Sequence, residues 1–239
     1  MDRNDFGPQP SVAKSSDTAY RGRQAYGIPN DAFVVVHFGR VHPKKGIDLT
    51  IRALTKLPDS VAKPHLLVLG PSEGDRTECK LKLLAEALRV DKSVHFAQAE
   101  HGPAKYVALR LADVFALPSH QENFGIAVVD AMAAELPVIV SDRVNLSDTV
   151  AGARAGRVIA LEPIATAPER LAAAIEFYML HHDERLAAGQ RGRRYVKDHF
   201  TWPPIAKAWV KHYSEVIAFR DGDLRSADEH EFFTPQSRP

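Results

Sequence analysis

Short apolar runs alternate with longer amphipathic stretches along most of the chain. The apolar runs, which have the length of buried strands, are 33–38, 65–70, 94–98, 113–119, 137–142 and 155–161. Helix-like stretches lie at 46–57, 78–90, 103–112 and 125–135, and two or three more helices close the chain, the last over about 202–219. Strands that are apolar on both faces and alternate with helices are typical of a parallel sheet covered on both sides. The pattern therefore predicts a doubly wound, Rossmann-like α/β domain.

The two ends of the chain lack this pattern. Residues 1–30 are polar and rich in Pro, Gly and Ser, and we interpret them as a linker or leader with room for one short helix. Residues 219–239 are charged and show no apolar periodicity, so we expect a mobile tail there. The folded domain is predicted to span residues 31–218.

Composition excludes several classes of function. The chain has 239 residues, and its 31 Lys and Arg against 30 Asp and Glu give a net charge of +1. No strong overall field therefore favours nucleic acid or an anionic membrane. The single cysteine, Cys79, rules out an intramolecular disulfide and indicates a reducing compartment. With no apolar run long enough for a transmembrane helix and no secretory signal, we expect a cytoplasmic protein.

The loop after the first strand, GRVHPKKG, carries a cluster of cations. Ligands of doubly wound sheets bind beyond the carboxyl ends of the strands, which is where this loop lies. It lacks both the dinucleotide-binding pattern of glycines and the P-loop pattern. It offers Arg40, Lys44 and Lys45 instead, and such side chains can bind phosphate. The alternative is a solvated basic turn.

The loop after the fourth strand, PSHQENFGIAVVDAMA, leads from polar residues into a helix. Gly125 allows a ligand to approach the backbone closely, and the helix N-terminus presents unpaired N–H groups to an anion. Glu122 and Asp130 would then face the same crevice, where carboxylates suit the hydroxyl groups of a sugar or a ribose. The alternative makes Glu122 a partner of the helix dipole and Asp130 a surface residue.

Together these segments resemble the donor-binding domain of family 4 retaining glycosyltransferases, which have the two-domain GT-B fold. GRVHPKKG resembles the G-R-x-x-x-x-K-G loop of that family. PSHQENFGIAVVDAMAAELPVIVSD resembles its E-x7-E stretch, and FTWPPIAKAWVKHYSEVI resembles its final helix. The order and separation of the motifs also fit, and the resemblance runs from about residue 20 to about residue 218.

The resemblance implies a role for each matching residue. The implied donor site consists of Gly39, Arg40, Lys45, Phe96, Glu122, Asn123, Phe124, Gly125, Ile126 and Asp130. Arg40 and Lys45 would neutralise the diphosphate and Glu122 would bind hydroxyls of the transferred sugar, which makes these three the catalytic candidates. The backbone N–H groups of residues 124–126 would meet the sugar and phosphates. Asp130 would bind the ribose, and Phe96 would lie near the base.

Two positions depart from the family pattern. Asp130 replaces the second Glu of the motif, which keeps the charge and loses one methylene of reach. We therefore expect ribose binding to be weaker or bridged by water. Glu135 replaces a Gly at a tight turn between helix and strand, which we interpret as a surface change.

The implied reaction is sugar transfer from a UDP-, GDP- or ADP-sugar, as in polysaccharide or glycolipid synthesis, with retention at the anomeric carbon. Arg40, Lys45 and the helix dipole can replace a divalent metal, so we expect neither a metal nor another cofactor. No protein nucleophile is required. The basic residues of 184–200 could contact an anionic membrane or lipid acceptor, although a solvated helix face is the alternative.

The resemblance covers one half of a GT-B enzyme, and an acceptor domain is missing from the match. We expect a fragment, a subunit whose acceptor domain is a separate chain, or a degenerate module. The first hypothesis is a donor domain that transfers sugar when paired with an acceptor domain. The second is a non-catalytic nucleotide-sugar sensor or interaction module. A dehydrogenase or epimerase is disfavoured by the absent glycine fingerprint.

Overall fold

A six-stranded parallel sheet forms the centre of the molecule. The computed structural model describes residues 22–72, 74, 76–98 and 103–220. The strands are β1 (Val34–Phe38), β2 (His65–Leu69), β3 (Val94–Ala97), β4 (Val114–Leu117), β5 (Val138–Ser141) and β6 (Gly156–Ile159). Their order across the sheet is β3-β2-β1-β4-β5-β6, and every neighbouring pair is parallel. Each strand lies within an apolar run of the sequence, so the predicted Rossmann-like fold class is confirmed.

Helices connect the strands and close the chain. They are α1 (Ile47–Leu54), α2 (Thr77–Ala87), α3 (Pro103–Leu109), α4 (Ile126–Ala133), α5 (Ser147–Gly152), α6 (Ala167–Leu180), α7 (His182–His199) and α8 (Trp202–Arg220). Short 3₁₀ turns lie at Pro43–Lys45, Asp91–Ser93 and Ile164–Thr166. Helix α5 has no counterpart among the predicted elements, because six residues are too few to show a helical period.

Apolar side chains cover both faces of the sheet. On one face Val35, Val68 and Ile139 of the strands pack with residues of α1, α2 and α6. On the other face Val34 and Leu67 pack with residues of α3, α4 and α7. Because neighbouring residues of a strand point to opposite faces, such strands have to be apolar throughout. This arrangement confirms the doubly wound architecture.

The last part of the segment interpreted as a linker contacts the domain. Ile28 is buried, and the guanidinium of Arg23 donates from Nε to the Leu111 carbonyl at 2.8 Å and forms an ion pair with Asp113 at 3.0 Å. Residues 1–21 and 221–239, which hold most of the predicted linker and tail, lie outside the described residues. The proposed limits of the domain stay a prediction.

Helix α7 directs most of its arginines toward the domain itself. Arg185 lies over the ring of Phe33, 5.1 Å from its centroid, and Arg191 donates to the Arg154 carbonyl at 2.8 Å. Arg193 pairs with Glu135 at 2.7 Å. These contacts occupy side chains that a basic face for membrane or lipid would need. Among the described residues, no helix is long and apolar enough to cross a membrane.

Glu135, which stands where the family pattern has a glycine, adopts a backbone conformation that favours glycine. Glu135 follows α4 with φ +64°, in the left-handed region. Its backbone carbonyl lies so close to α7 that a Cβ built on Gly189 would come within 2.0 Å of it. The Glu135 side chain is about half exposed and pairs with Arg193 of α7 at 2.7 Å, so the substitution lies at the surface, as interpreted from the sequence.

Helix α8 packs against α7 and otherwise exposes its side chains. Its apolar residues, from here on called the α8 apolar face, are more than half exposed: Trp209, Val210, Tyr213, Val216, Ile217 and Phe219. A contiguous exposed apolar surface of this kind is typical of a protein interface.

Candidate functional site

The loops after β1 and β4 are in direct contact at the carboxyl edge of the sheet. Gly46 has φ +68°, and a Cβ built on it would lie 2.1 Å from the carbonyl oxygen of Pro118. The backbone N–H of His120 donates to the Lys44 carbonyl at 2.8 Å. The two charged motifs of the sequence therefore form one site.

Local hydrogen bonds shape the loop after β1. Its 3₁₀ turn begins after His42, whose Nδ1 accepts from the backbone N–H of Lys44 at 3.1 Å. The backbone N–H of Gly39 donates to the Leu69 carbonyl at 2.9 Å, and Gly39 adopts φ +141°. These contacts leave Arg40 and Lys44 exposed and turn Lys45 inward to a half-buried position.

Lys45 and Glu122 form an ion pair that joins the two motifs. The Lys45 ammonium donates to Glu122 Oε2, and both side chains are less than one-fifth exposed. Partial removal from water strengthens the attraction between the charges. A phosphate that engages Lys45 would come close to the Glu122 carboxylate. This arrangement therefore suits a ligand that offers an anion beside hydroxyl groups.

The loop after β5 holds Glu122 from the other side. The backbone N–H of Glu122 donates to the Arg143 carbonyl at 3.2 Å, and the Glu122 carbonyl accepts from the Asn145 N–H at 3.1 Å. The two segments pair as a short parallel bridge between Glu122 and Val144. The sequence did not predict this contact between the loops after β4 and β5, because the contact uses backbone groups alone.

Helix α4 begins beside the ion pair of Lys45 with Glu122. Gly125 precedes it with φ +81°, and Asn123, Phe124 and Ile126 are exposed around it. The ring of Phe124 packs edge-on against Phe200, with centroids 6.0 Å apart. The first backbone N–H groups of a helix have no partner within the helix and carry partial positive charge. Lys45 and the helix thus present positive charge to the same space.

Asp130 lies in the second turn of α4 and is buried, with 3% of its surface exposed. Lys105 approaches its Oδ1 at 2.8 Å, and the Tyr106 hydroxyl donates to the same oxygen at 3.2 Å. The alternative that Asp130 is a surface residue is therefore wrong. Sequence reasoning missed both partners, since nothing in the stretch PAKYVAL indicates which helix it faces.

Phe96 is placed differently from the other predicted residues. It lies on the edge strand β3, its side chain packs against the core cluster beside β2, and Lys82 lies 5.4 Å from its ring centroid. Its described contacts thus connect it to the core and to α2. They do not connect it to the ion pair or to α4.

His37 lies under the loop after β1 and is uncharged at neutral pH. Burial lowers the pKa of His37 to about 4, and the nearby charge of Lys45 acts in the same direction. The positive charge of the site is therefore carried by lysine, arginine and the helix terminus. Among the described residues, no group of three or more His, Cys, Asp or Glu side chains could hold a metal ion.

The chain matches known proteins over most of its length. The family described as glycosyl transferases group 1 matches residues 21–195. A D-inositol 3-phosphate glycosyltransferase of Kineococcus radiotolerans is 30% identical over 238 residues, which is 95% of this chain and 53% of the relative. The chain thus spans about half the length of the curated relatives it matches.

Solved structures show the same fold. The crystal structure of HepE from Anabaena in complex with UDP has a TM-score of 0.74 and 20% identity, over 90% of this chain and 56% of that one. The C-terminal domain of LpcC, a group 1 family protein of Francisella tularensis, has a TM-score of 0.67 and 19% identity, over 84% of this chain and 98% of that one. These neighbours confirm the fold of one half of a GT-B enzyme. On the family match, this chain belongs to the glycosyl transferases of group 1.

Proposed function

We propose that this domain binds a nucleoside-diphosphate sugar and forms the donor half of a retaining glycosyltransferase of family 4. The observation that carries the proposal is the pairing of Lys45 with Glu122 beside the N-terminus of α4. An anion-binding cation, a carboxylate for hydroxyl groups and the first backbone N–H groups of a helix meet there. A sugar diphosphate offers a complementary group to each of them.

Each of these residues binds a different part of the donor. Arg40 and Lys45 neutralise the diphosphate, and the N–H groups at the start of α4 (residues 124–126) add to this charge. Glu122 accepts hydrogen bonds from the sugar, and Asp130 accepts from the ribose. Gly39 and Asn123 line the entrance. Charge neutralisation by these groups takes the place of a divalent metal, so the proposed donor site is metal-free.

These charges act when the bond between the anomeric carbon of the donor sugar and the phosphate oxygen breaks. Negative charge then develops on the leaving diphosphate. Fixed positive groups aimed at that charge lower the barrier without reorganisation. The acceptor hydroxyl attacks from the same face and transfers its proton to the leaving phosphate. No protein nucleophile takes part.

The acceptor is proposed to bind to a further domain that docks on the α8 apolar face. Trp209 and Tyr213 are more than half exposed on this helix, although such side chains are normally covered. The chain spans 53% of the Kineococcus radiotolerans relative, which leaves room in such proteins for a second domain. That domain, in the same or another chain, would complete the active site.

Calorimetry with UDP, GDP and ADP tests the donor site, and UDP is the first choice because HepE was solved with it. We expect binding of at least one nucleotide to the folded domain, with the affinity falling as salt rises. Absence of binding at millimolar concentration by a folded protein would overturn the proposal. The second candidate, a non-catalytic module, predicts binding without any donor hydrolysis or sugar transfer when an acceptor domain is supplied.

Replacing Lys45 with alanine is expected to weaken nucleoside diphosphate binding by about 1–3 kcal/mol, the range of charge-assisted hydrogen bonds. The loss includes the exposure of the ligand to the unpaired Glu122 carboxylate. Titration calorimetry on the folded variant measures it. Lys44→Ala is the comparison variant and is expected to lose less affinity, since Lys44 lies on the same turn but is exposed. Unchanged affinity in the folded Lys45→Ala protein would show that the phosphate lies elsewhere.

Replacing Glu122 with glutamine has a different expected result. The variant binds the free nucleoside diphosphate at least as well as wild type, because the backbone hydrogen bonds of residue 122 are unchanged and a negative charge beside the phosphates is removed. It loses the additional affinity that wild type has for the sugar nucleotide, since the carboxylate acceptor is gone. Competition between the two ligands measures the difference. Glu169→Gln, at an exposed ion pair with Lys56, is the control. A parallel loss of both affinities would assign Glu122 to folding.

A further inference from the structure

Lys105 and Tyr106 of α3 form a cluster with Asp130 that the donor-site residues do not include. We propose that these two side chains are positioning residues, which fix Asp130 so that the site selects a ribonucleotide over a deoxyribonucleotide. The inference rests on the proposed function, because it concerns the same ligand.

Both contacts to the Asp130 carboxylate are made by the same oxygen, Oδ1. Lys105 Nζ lies 2.8 Å from Oδ1, and the Tyr106 hydroxyl donates to Oδ1 at 3.2 Å. In the part of the chain that the structure describes, neither contact involves Oδ2. A carboxylate held at one oxygen keeps the lone pairs of the other for a hydroxyl donor.

Burial explains why Asp130 needs these partners. Its side chain is 4% exposed, and a carboxylate removed from water is costly unless it is paired and hydrogen-bonded. Lys105 supplies the opposite charge from a side chain that is 22% exposed. The Lys105 ammonium also lies 4.9 Å from the centroid of the Tyr106 ring, so the two partners support each other. The short aspartate side chain is thereby held in one orientation.

The position of Asp130 along α4 points to the ribose. Asp130 lies five residues after Gly125, where the helix N-terminus is proposed to meet the phosphates. At the rise of an α-helix this separation is about 7 Å along the axis. The vicinal hydroxyls of a nucleoside diphosphate lie a few bonds from its phosphates, at a comparable distance. A fixed carboxylate oxygen at this position can accept hydrogen bonds from both hydroxyls. A 2′-deoxyribose has only one of the two hydroxyls and can donate only one of these bonds.

The test compares UDP, GDP and ADP with dUDP, dGDP and dADP by calorimetry on the folded protein. For the base that binds best, wild type is expected to prefer the ribonucleotide on the order of tenfold. Lys105→Met and Tyr106→Phe are each expected to bring this ratio toward one, mainly by weakening ribonucleotide binding. Lys105→Arg keeps the charge and is expected to retain the preference. Lys56→Met, which removes an exposed ion pair with Glu169, is the matched control and leaves the ratio unchanged.

The remaining outcomes separate the inference from the proposed function. If wild type binds no nucleotide, the proposed function fails and the inference fails with it. If wild type binds and both variants keep its ratio, the inference alone is overturned. An equal loss of ribonucleotide and deoxyribonucleotide affinity also overturns it, because that result shows a purely structural role. Thermal unfolding of each variant identifies any that does not fold, and Lys105→Gln, which keeps a hydrogen-bond donor, then replaces Lys105→Met.

Discussion

Replacing Gly46 with alanine is expected to lower the free energy of unfolding by about 3–4 kcal/mol, the sum of left-handed backbone strain and a forced contact. Gly46 has φ +68°, and its new Cβ would lie 2.1 Å from the Pro118 carbonyl oxygen. Neither atom belongs to a flexible side chain, so the loops after β1 and β4 have to separate. Urea unfolding measures the loss as a lower midpoint at an unchanged slope.

Gly74→Ala separates the cost of backbone strain from the cost of the forced contact. Gly74 also has a positive φ, at +75°, but within the described part of the chain a Cβ there meets no atom closer than 4 Å. The control should therefore cost about 1 kcal/mol through backbone strain alone. If both substitutions cost the same, the close approach of Gly46 to Pro118 is absent in solution.

The same substitution is expected to reduce nucleotide binding in whatever fraction of Gly46→Ala remains folded. Gly46 follows Lys45 directly, and Pro118 begins the loop that carries Glu122. Separation of the loops moves Lys45 away from Glu122 and from the N-terminus of α4. Calorimetry below the unfolding transition would then show weaker binding per folded molecule, whereas Gly74→Ala would bind as wild type does.

The sequence was sufficient for the fold because burial on both faces makes a parallel strand apolar throughout. Residues 34–38, 65–69 and 138–141 each lie within a predicted apolar run. The order of the strands does not follow from such runs, since it depends on contacts far apart along the chain. Helix α5 was missed because a six-residue helix completes fewer than two turns.

The two loops of the candidate site could be placed at one edge of the sheet from the sequence, but the contacts between them could not. Motif spacing placed Lys45 and Glu122 in loops at the same edge of the sheet, yet their pairing joins residues 77 positions apart. The pairing of Lys105 with Asp130 is equally invisible, because the position of α3 beside α4 is set by packing on the sheet. The glycine at position 46 was visible as part of a motif. Its close approach to Pro118 was not.

Replacing Asp113 with alanine is expected to lower the free energy of unfolding by about 2–4 kcal/mol, somewhat below the full cost of breaking a buried ion pair because some exposure remains. Oδ2 of Asp113 accepts from Arg23 at 3.0 Å and from the backbone N–H of Val34 at 2.9 Å. Arg185 of α7 lies 3.6 Å from its Oδ1. The side chain is 13% exposed, so water replaces these contacts poorly.

The Asp113 carboxylate joins the N-terminal segment, the start of β1 and helix α7, three parts that are remote along the chain. Asp113→Asn should lose less than Asp113→Ala, because an amide oxygen still accepts from the Val34 N–H while the charge is lost. Glu169→Ala removes an exposed ion pair and is expected to change stability far less than Asp113→Ala does. If Asp113→Ala unfolds as easily as Glu169→Ala, the Arg23 and Arg185 contacts do not hold these segments together. A large loss confined to Asp113 would instead show that this carboxylate holds the N-terminal segment, β1 and α7 together.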